Sequence, residues 1–304
     1  MSVFTDVAAE AILLAGGGRA ILLQIAHPAV GYGVADHSDF ANRPLDRFHN
    51  TVTYTYTTVF GSPEERAEVV RRVTAAHLPV HSSRASTSDT APSLASHPTP
   101  DTALSSPPRP TSGAASLAAA TAAGAHARRS AGTNPRVYNA FDRRAQLWVA
   151  ATLYQTAAQV YERVFGKLGE VEAVEVYRGF GVLGTALQVP AELWPRDLAA
   201  FELYWNTALT ELHVTDDARR VAHDLLHPRT APLWLRAAMP LVRLLTAGLL
   251  PPELRRAFVL PWSARDQRRF DRIFAALALV YPRLPLSVRH FPRDLYLRRL
   301  RASL

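Results

Sequence analysis

An apolar stripe with helical spacing runs through residues 147–165, and it limits the folds open to this chain more than any other feature. Its members recur at spacings of four and three residues, the period of one face of an α-helix. They are Leu147, Ala151, Tyr154, Ala158, Tyr161 and Phe165. Asp142 precedes the stripe as a helix N-cap, and Gly166 follows it as a stop. Similar stretches separated by prolines continue to residue 280, so the sequence predicts an all-α fold.

A second helix is predicted from residue 62 onward. Ser62, Pro63 and Glu65 have the spacing of a capping box with proline at the first helical position. The apolar stripe of this helix is formed by Val70, Val73, His77 and Val80. We therefore expect His77 to lie on the face that packs against the core.

The stretch "TVTYTYTTVF", 51–60, alternates and is rich in β-branched residues. Taken alone, it is compatible with a strand as well as with a helix. If the region is helical, Arg47 and Thr51 share one face, with Asn50 beside them. A donor and a hydroxyl could then face one pocket. The alternative is a surface arginine and a β-branched core residue.

Residues 81–134 form a low-complexity tract. These 54 residues include 14 Ala, 11 Ser, 7 Thr and 6 Pro, with no aromatic residue, Ile or Val. Such a segment buries too little apolar surface to offset its conformational entropy. We therefore expect a disordered insertion within the helical fold, or a local reading-frame error in the gene.

Composition excludes several classes of site. The chain has 304 residues and no cysteine, so disulfides, thiolate metal sites, iron–sulfur clusters and cysteine nucleophiles are ruled out. The net charge is +8 and comes almost entirely from arginine, since Lys167 is the only lysine. The arginines are scattered without a nucleic-acid-binding motif, so we expect no nucleic-acid partner.

The apolar stretches do not have the pattern of membrane spans. Residues 11–35 contain Arg19, Gln24 and His27 and three successive glycines, and "LWLRAAMPLVRLLTAGLL" is interrupted by two arginines and a proline. The N-terminus has no basic region ahead of its apolar stretch. We expect a soluble, cytoplasmic protein without a transmembrane segment.

Two groups of side chains could bind a metal ion. His223 and His227 form "HDLLH", a pair one helical turn apart that could share zinc, although the glutamate of the zincin motif is missing. His27, His37 and Asp39 have the residue types of a two-His-one-carboxylate iron site. Neither "AGGGRA" (15–20) nor any serine has the spacing of a phosphate-binding loop or a nucleophile elbow.

Several stretches together resemble the rubber oxygenase (latex-clearing) and MpaB-type catalytic domain family, in particular its short bacterial members. They are "LLQIAHPAVGYGVADHSDF", "RPLDRFHNTVTYTYTTVFG", "VVRRVTAAH", "YNAFDRRAQLWVAATLYQTAAQVYERVFG" and "LPPELRRAFVLPW". The resemblance covers most of the chain outside 81–134. It implies one large helical domain over 1–304, with 51–60 helical.

The resemblance also implies a site. The best-known members hold haem b through a helical histidine and use dioxygen, and "VTAAH" matches that histidine to His77. Their pocket arginine and threonine match Arg47 and Thr51. They place a lysine just before the threonine, where this chain has Asn50. This replacement separates the chain from the rubber-cleaving enzymes in its distal chemistry.

The sequence therefore favours a haem b-dependent oxygenase or oxidase acting with dioxygen on a small apolar substrate, isoprenoid-like or aromatic. His77 would bind the iron, because neutral imidazole suits haem iron. Arg47, Thr51 and Asn50 would lie on the distal side, and Leu147, Ala151 and Tyr154 would line the haem slot. The alternatives are a haem-free small-molecule binding protein on the same scaffold and a non-haem metal enzyme.

Overall fold

The computed structural model describes residues 2–37, 44–82 and 136–304, with the backbone alone for 44–47. Every regular element in these ranges is helical, which confirms the all-α prediction. The α-helices are α1 Val3–Ala9, α2 Gly17–Ala26, α3 Pro28–His37, α4 Pro44–Phe60, α5 Pro63–His77, α6 Arg143–Phe165, α7 Glu170–Phe180, α8 Val182–Thr185, α9 Leu198–Glu211, α10 Asp216–Leu226, α11 Leu233–Leu249, α12 Pro252–Ala257, α13 Ala264–Val280, α14 Leu286–Arg289 and α15 Phe291–Arg301. Short 3₁₀ turns cover Ala11–Gly16, Ala191–Leu193 and Tyr281–Arg283.

The β-branched stretch 51–60 is the second half of α4, as the family resemblance implies. Val52, Tyr54 and Tyr56 are buried, and so are Thr57 and Thr58. Burial on more than one face of a helix explains the outcome, because tertiary packing overrides the strand preference of β-branched residues.

Local capping residues begin and end the two predicted helices. The Ser62 hydroxyl accepts a hydrogen bond from the Glu65 amide, and the Glu65 carboxylate accepts one from the Ser62 amide, so α5 begins with a full capping box. Asp142 accepts from the first amides of α6. Gly166 ends α6 with a φ of +87°, a conformation that favours glycine. These predicted helix ends are confirmed.

Helix α6 passes through both hydrophobic cores. Its N-terminal half, with Trp148, Ala151 and Tyr154, belongs to the main core. Its C-terminal half, with Val160 and Val164, belongs to a smaller core. That core also contains Leu244, Leu245, Leu249, Phe270, Phe274 and Tyr281. The long helix that carries the apolar stripe therefore contributes side chains to both cores.

Three successive glycines let α2 approach three other helices. A Cβ at Gly16 would overlap Thr156 of α6, and a Cβ at Gly18 would overlap Thr246 of α11. A Cβ at Gly17 would lie 3.1 Å from the ring of Phe48 in α4. The glycines of "AGGGRA" therefore allow close packing of helices, and the segment has no spacing of a phosphate-binding loop.

The first two residues of the predicted insertion, His81 and Ser82, lie in the described part of the chain. His81 forms an isolated bridge with Asn139, and the Ser82 amide donates to the Tyr138 carbonyl. This backbone pairing holds the two residues although their side chains bury little surface. The rest of the tract, 83–134, lies outside the described residues. The predicted single domain over 1–304 stays a prediction.

No single helix in the described ranges is both long and apolar enough to cross a membrane. Val3–Ala9 and Ala11–Ala26 meet these criteria only as a pair, and the pair is bent by 59°.

Candidate functional site

A cavity of about 110 Å³ lies between the glycine segment, α4 and α6, and we call it the α4–α6 cavity. Most of its wall is apolar, contributed mainly by Leu13, Ile21, Phe48, Leu153, Phe180 and Leu183. Its polar side chains are Gln24, Thr51, Thr55, Tyr56 and Thr156. A mostly apolar space with a few convergent polar groups is typical of a small-molecule site.

His77 lies at the edge of the main core, at the C-terminal end of α5. It is the last residue of the helix and is half-buried. Val70 and Val73 precede it on the same face and pack against the main core, also half-buried. The His77 ring meets Phe141 edge-on, with 6.3 Å between ring centroids. The predicted core face is thus correct, but its burial is partial at this end.

His77 and the residues predicted on the distal side lie on neighbouring helices. Helices α4 and α5 pack together and are joined at Gly61 and Ser62. His77 is the last residue of α5 and Arg47 lies in the first turn of α4, so both are at the ends of their helices remote from this turn. Thr51 lies four residues nearer the turn than Arg47, about 6 Å along the helix axis.

The three distal candidates have different surroundings. Thr51 is half-buried and lines the α4–α6 cavity. Asn50 is exposed, one residue away on the helix. Arg47 shares the helical face of Thr51 by its spacing, but its side chain lies outside the described part of the chain.

Leu147, Ala151 and Tyr154 are all buried, and Ala151 and Tyr154 belong to the main core. The Tyr154 ring packs against Tyr177 and Phe201 at centroid distances of 5.1 and 4.9 Å. The structure does not bring these three residues to the α4–α6 cavity. Another face of α6 lines it, with Leu153, Thr156 and Ala157.

The alternative set at α3 is not brought together either. His27 immediately precedes α3 and His37 ends it, so about 15 Å of helix separates them. His37 Nε2 lies 3.2 Å from the Tyr138 hydroxyl, whereas buried His27 Nδ1 makes no hydrogen bond within the described ranges. Desolvation lowers the pKa of His27, with partial compensation from Asp142. Asp39 lies outside the described residues.

The second alternative set, His223 and His227, lies on the surface of α10. Their rings stack at a centroid distance of 4.7 Å. His223 Nδ1 lies 3.4 Å from Asp224 Oδ1, and His227 Nδ1 lies 3.1 Å from the His223 carbonyl oxygen. In the part of the chain that the structure describes, no group of three His, Asp or Glu side chains has the geometry to hold a metal ion.

Sequence reasoning missed the polar pair Arg19 and Thr156. Arg19 is 2% exposed, and its guanidinium donates to the Leu249 carbonyl at 2.9 Å and to the side chains of Thr156 and Gln155. Desolvation, together with nearby Arg163, lowers the pKa of Arg19 to about 9. The signal in the sequence was an arginine inside an apolar run directly after three glycines.

Comparison with known proteins identifies the family. Residues 5–100 and 108–279 match the family model of the ER-bound oxygenase mpaB/B'/rubber oxygenase catalytic domain. The chain belongs to this family. Two uncharacterised proteins, from Mycobacterium bovis and Mycobacterium tuberculosis, are each 30% identical to it over 282 residues, which cover 91% of this chain and 92% of each relative. No solved structure matches the chain. Membership of an oxygenase catalytic-domain family indicates an enzyme of the oxygenase type, for which dioxygen is a co-substrate.

Proposed function

We propose that this chain is a haem b-dependent oxygenase or oxidase that binds the iron through His77 and acts on a small apolar molecule with dioxygen. The observation that carries the proposal is a half-buried histidine at the end of α5, on the helix that packs against α4, in a chain of the rubber-oxygenase and MpaB family. Bound haem would supply the binding and activation of dioxygen.

The donor chemistry of His77 fits axial ligation. An imidazole at the edge of the core, packed edge-on against the Phe141 ring, could serve as a ligand while staying on its helix. The α4–α6 cavity is a poorer match for the porphyrin itself. At about 110 Å³, it is smaller than the roughly 300–1,000 Å³ of pockets that hold drug-sized ligands. We therefore assign this cavity to the substrate.

The residues that line the cavity indicate which kind of substrate it would bind. The apolar wall excludes water and favours a hydrocarbon body, while Thr51 offers a hydroxyl from the helix that also carries Arg47. Asn50 is exposed in place of the lysine of the rubber-cleaving enzymes, and the cavity is small. Both features favour a small substrate over a polymer.

One observation favours the haem-free alternative. The α4–α6 cavity is complete without His77, which does not line it, so the scaffold could bind an apolar ligand without a cofactor. The non-haem metal alternative has less support, because α3 separates His27 from His37.

Oxygen consumption with haem analysis on the same sample tests the proposal. Purified protein should contain stoichiometric haem b and consume dioxygen when small isoprenoids or aromatics are added. Protein that stays free of haem after expression with added haem precursor, and that consumes no dioxygen, would support the binding-protein alternative instead.

A further inference from the structure

Two threonines one turn apart on α6 use their hydroxyls differently. Thr152 accepts a hydrogen bond from Gln24 at 3.2 Å and donates its own proton to the Val149 carbonyl at 2.7 Å. Thr156 accepts from Arg19, but its hydroxyl donates to no acceptor within the described ranges. A hydroxyl has one proton to donate. Thr156 lines the α4–α6 cavity, so this unused proton is the donor of Thr156 that we assign to an occupant of the cavity.

The guanidinium of Arg19, which donates to Thr156, has no negatively charged partner within the described ranges. Arg19 is almost fully buried, its three hydrogen-bond acceptors are neutral, and the charged group that affects its pKa is Arg163, which has the same sign. Its guanidinium also lies 5.8 Å from the centre of the Trp205 ring. No carboxylate in the described part of the chain pairs with it. A buried cation of this kind favours an anion nearby, because burial of an unpaired charge is costly.

The rest of the cavity wall indicates the apolar part of the ligand, next to the group that would accept the Thr156 proton. Gly16 brings backbone, rather than side chain, to the cavity beside Thr156, and Gly17 does the same beside Phe48. Beyond them the wall is apolar, with Leu13, Ile21 and Leu153. A molecule with a short hydrocarbon body and one terminal oxygen acceptor would satisfy both parts.

We propose that the α4–α6 cavity binds a small amphipathic carboxylate. One carboxylate oxygen accepts the Thr156 proton, the apolar wall holds the hydrocarbon chain, and Arg19 is a positioning residue that orients Thr156 and balances the charge. This inference rests on the proposed function in taking the cavity as the substrate site, and it narrows the substrate proposed there to one whose apolar body carries a terminal carboxylate.

Calorimetric titration of the purified wild-type protein tests the ligand class. The probes are butanoate, hexanoate and octanoate, each compared with the primary alcohol and the methyl ketone of equal chain length. A hydrogen bond to a charged group predicts roughly tenfold to hundredfold tighter binding of at least one carboxylate than of its neutral partners. Equal affinities, tighter binding of the ketone, or no binding of any carboxylate would overturn the inference.

Matched variants on α6 test the residue assignment. Thr156→Val should abolish the preference for carboxylate, Thr156→Ser should restore it, and Thr152→Val should leave it unchanged. A preference that survives in Thr156→Val would contradict the role of the hydroxyl. If Thr156→Val does not fold, as its circular dichroism spectrum would reveal, a Thr156→Ser variant that loses the preference contradicts the assignment and one that keeps it supports it.

The experiments distinguish a failure of the carboxylate inference from a failure of the haem proposal. Carboxylate binding by a protein that takes up no haem would overturn the proposed function alone. Haem bound through His77 in a protein without carboxylate preference would overturn this inference alone.

Discussion

The His77 ring meets the Phe141 ring at 87° between their planes, so the end of α5 contacts the residue just before the N-cap of α6. Edge-to-face pairs of this kind are favourable arrangements of aromatic rings. The position of the proposed iron ligand therefore depends on the C-terminal end of α5 and on the start of α6, which Asp142 caps.

Filling the α4–α6 cavity should separate substrate binding from haem binding. Ala157 lines the cavity and is buried, so Ala157→Leu places extra atoms where the substrate would lie. We expect kcat/KM to fall by roughly tenfold or more while haem content stays unchanged. Steady-state oxygen uptake and the absorption spectrum measure the two quantities. Unchanged kcat/KM in a folded variant would show that the substrate binds elsewhere.

A buried ion pair ties the two ends of the chain together, and its loss should destabilise the fold. Glu10 is 3% exposed and pairs with Arg289, which also lies 5.0 Å from the Phe165 ring centre. Arg289→Met leaves a buried carboxylate without its cation, so we expect a loss of about 3–5 kcal/mol in the free energy of unfolding. Urea denaturation measures it.

The matched control for this variant is the exposed pair Glu253 and Arg256. Glu253→Gln should change the unfolding free energy by less than about 1 kcal/mol. Equal effects of the two variants would mean that the buried pair contributes no more than a surface pair.

Helix ends were predictable from the sequence because capping is local. Asp142 and Gly166 lie next to the residues that they cap, and the apolar stripe between them needs only the helical period to be recognised. The alternating stretch 51–60 shows the limit of this reasoning, because its helical state depends on packing from several sides.

The candidate site was less predictable because it depends on distant contacts. Arg19 and Thr156 are separated by 137 positions, and neither belongs to a motif with chemical meaning. Periodicity identified the apolar face of α6 with Leu147 and Ala151, but it could not reveal that a neighbouring face would line a cavity. Partners across a helix interface come from tertiary packing, which no local pattern encodes.

Alanine at Gly18 should destabilise the fold although it raises helix propensity. The propensity gain is about 1 kcal/mol, whereas the new Cβ would overlap buried Thr246. Overpacking of a buried contact costs about 1–3 kcal/mol, so we expect a net loss. Gly169→Ala is the control for the overlap alone, since its Cβ would meet nothing nearer than 3.5 Å, and its own cost is the poorer capping of α7 by alanine. Thermal denaturation compares the two, and an unchanged midpoint for Gly18→Ala would contradict the close approach.

Stability should fall in mild acid through His27. Burial lowers its pKa below the ordinary 6.5, so the unfolded chain binds the proton more readily than the folded one. The neutral ring thus contributes stability that is complete above about pH 6.5 and is lost as the pH falls toward the folded-state pKa. The unfolding free energy of wild type relative to His27→Gln should therefore decrease between about pH 7.5 and about pH 5. An identical pH dependence in both proteins would contradict this role.

Reconstitution with haemin tests the central claim most directly. The absorption spectrum of haem-depleted protein would be followed during titration with haemin for wild type, His77→Ala and the surface control His223→Ala. We predict a saturable one-to-one Soret band for wild type and for His223→Ala, and its loss in His77→Ala. A Soret band that forms equally in all three proteins, or in none, would contradict haem ligation by His77.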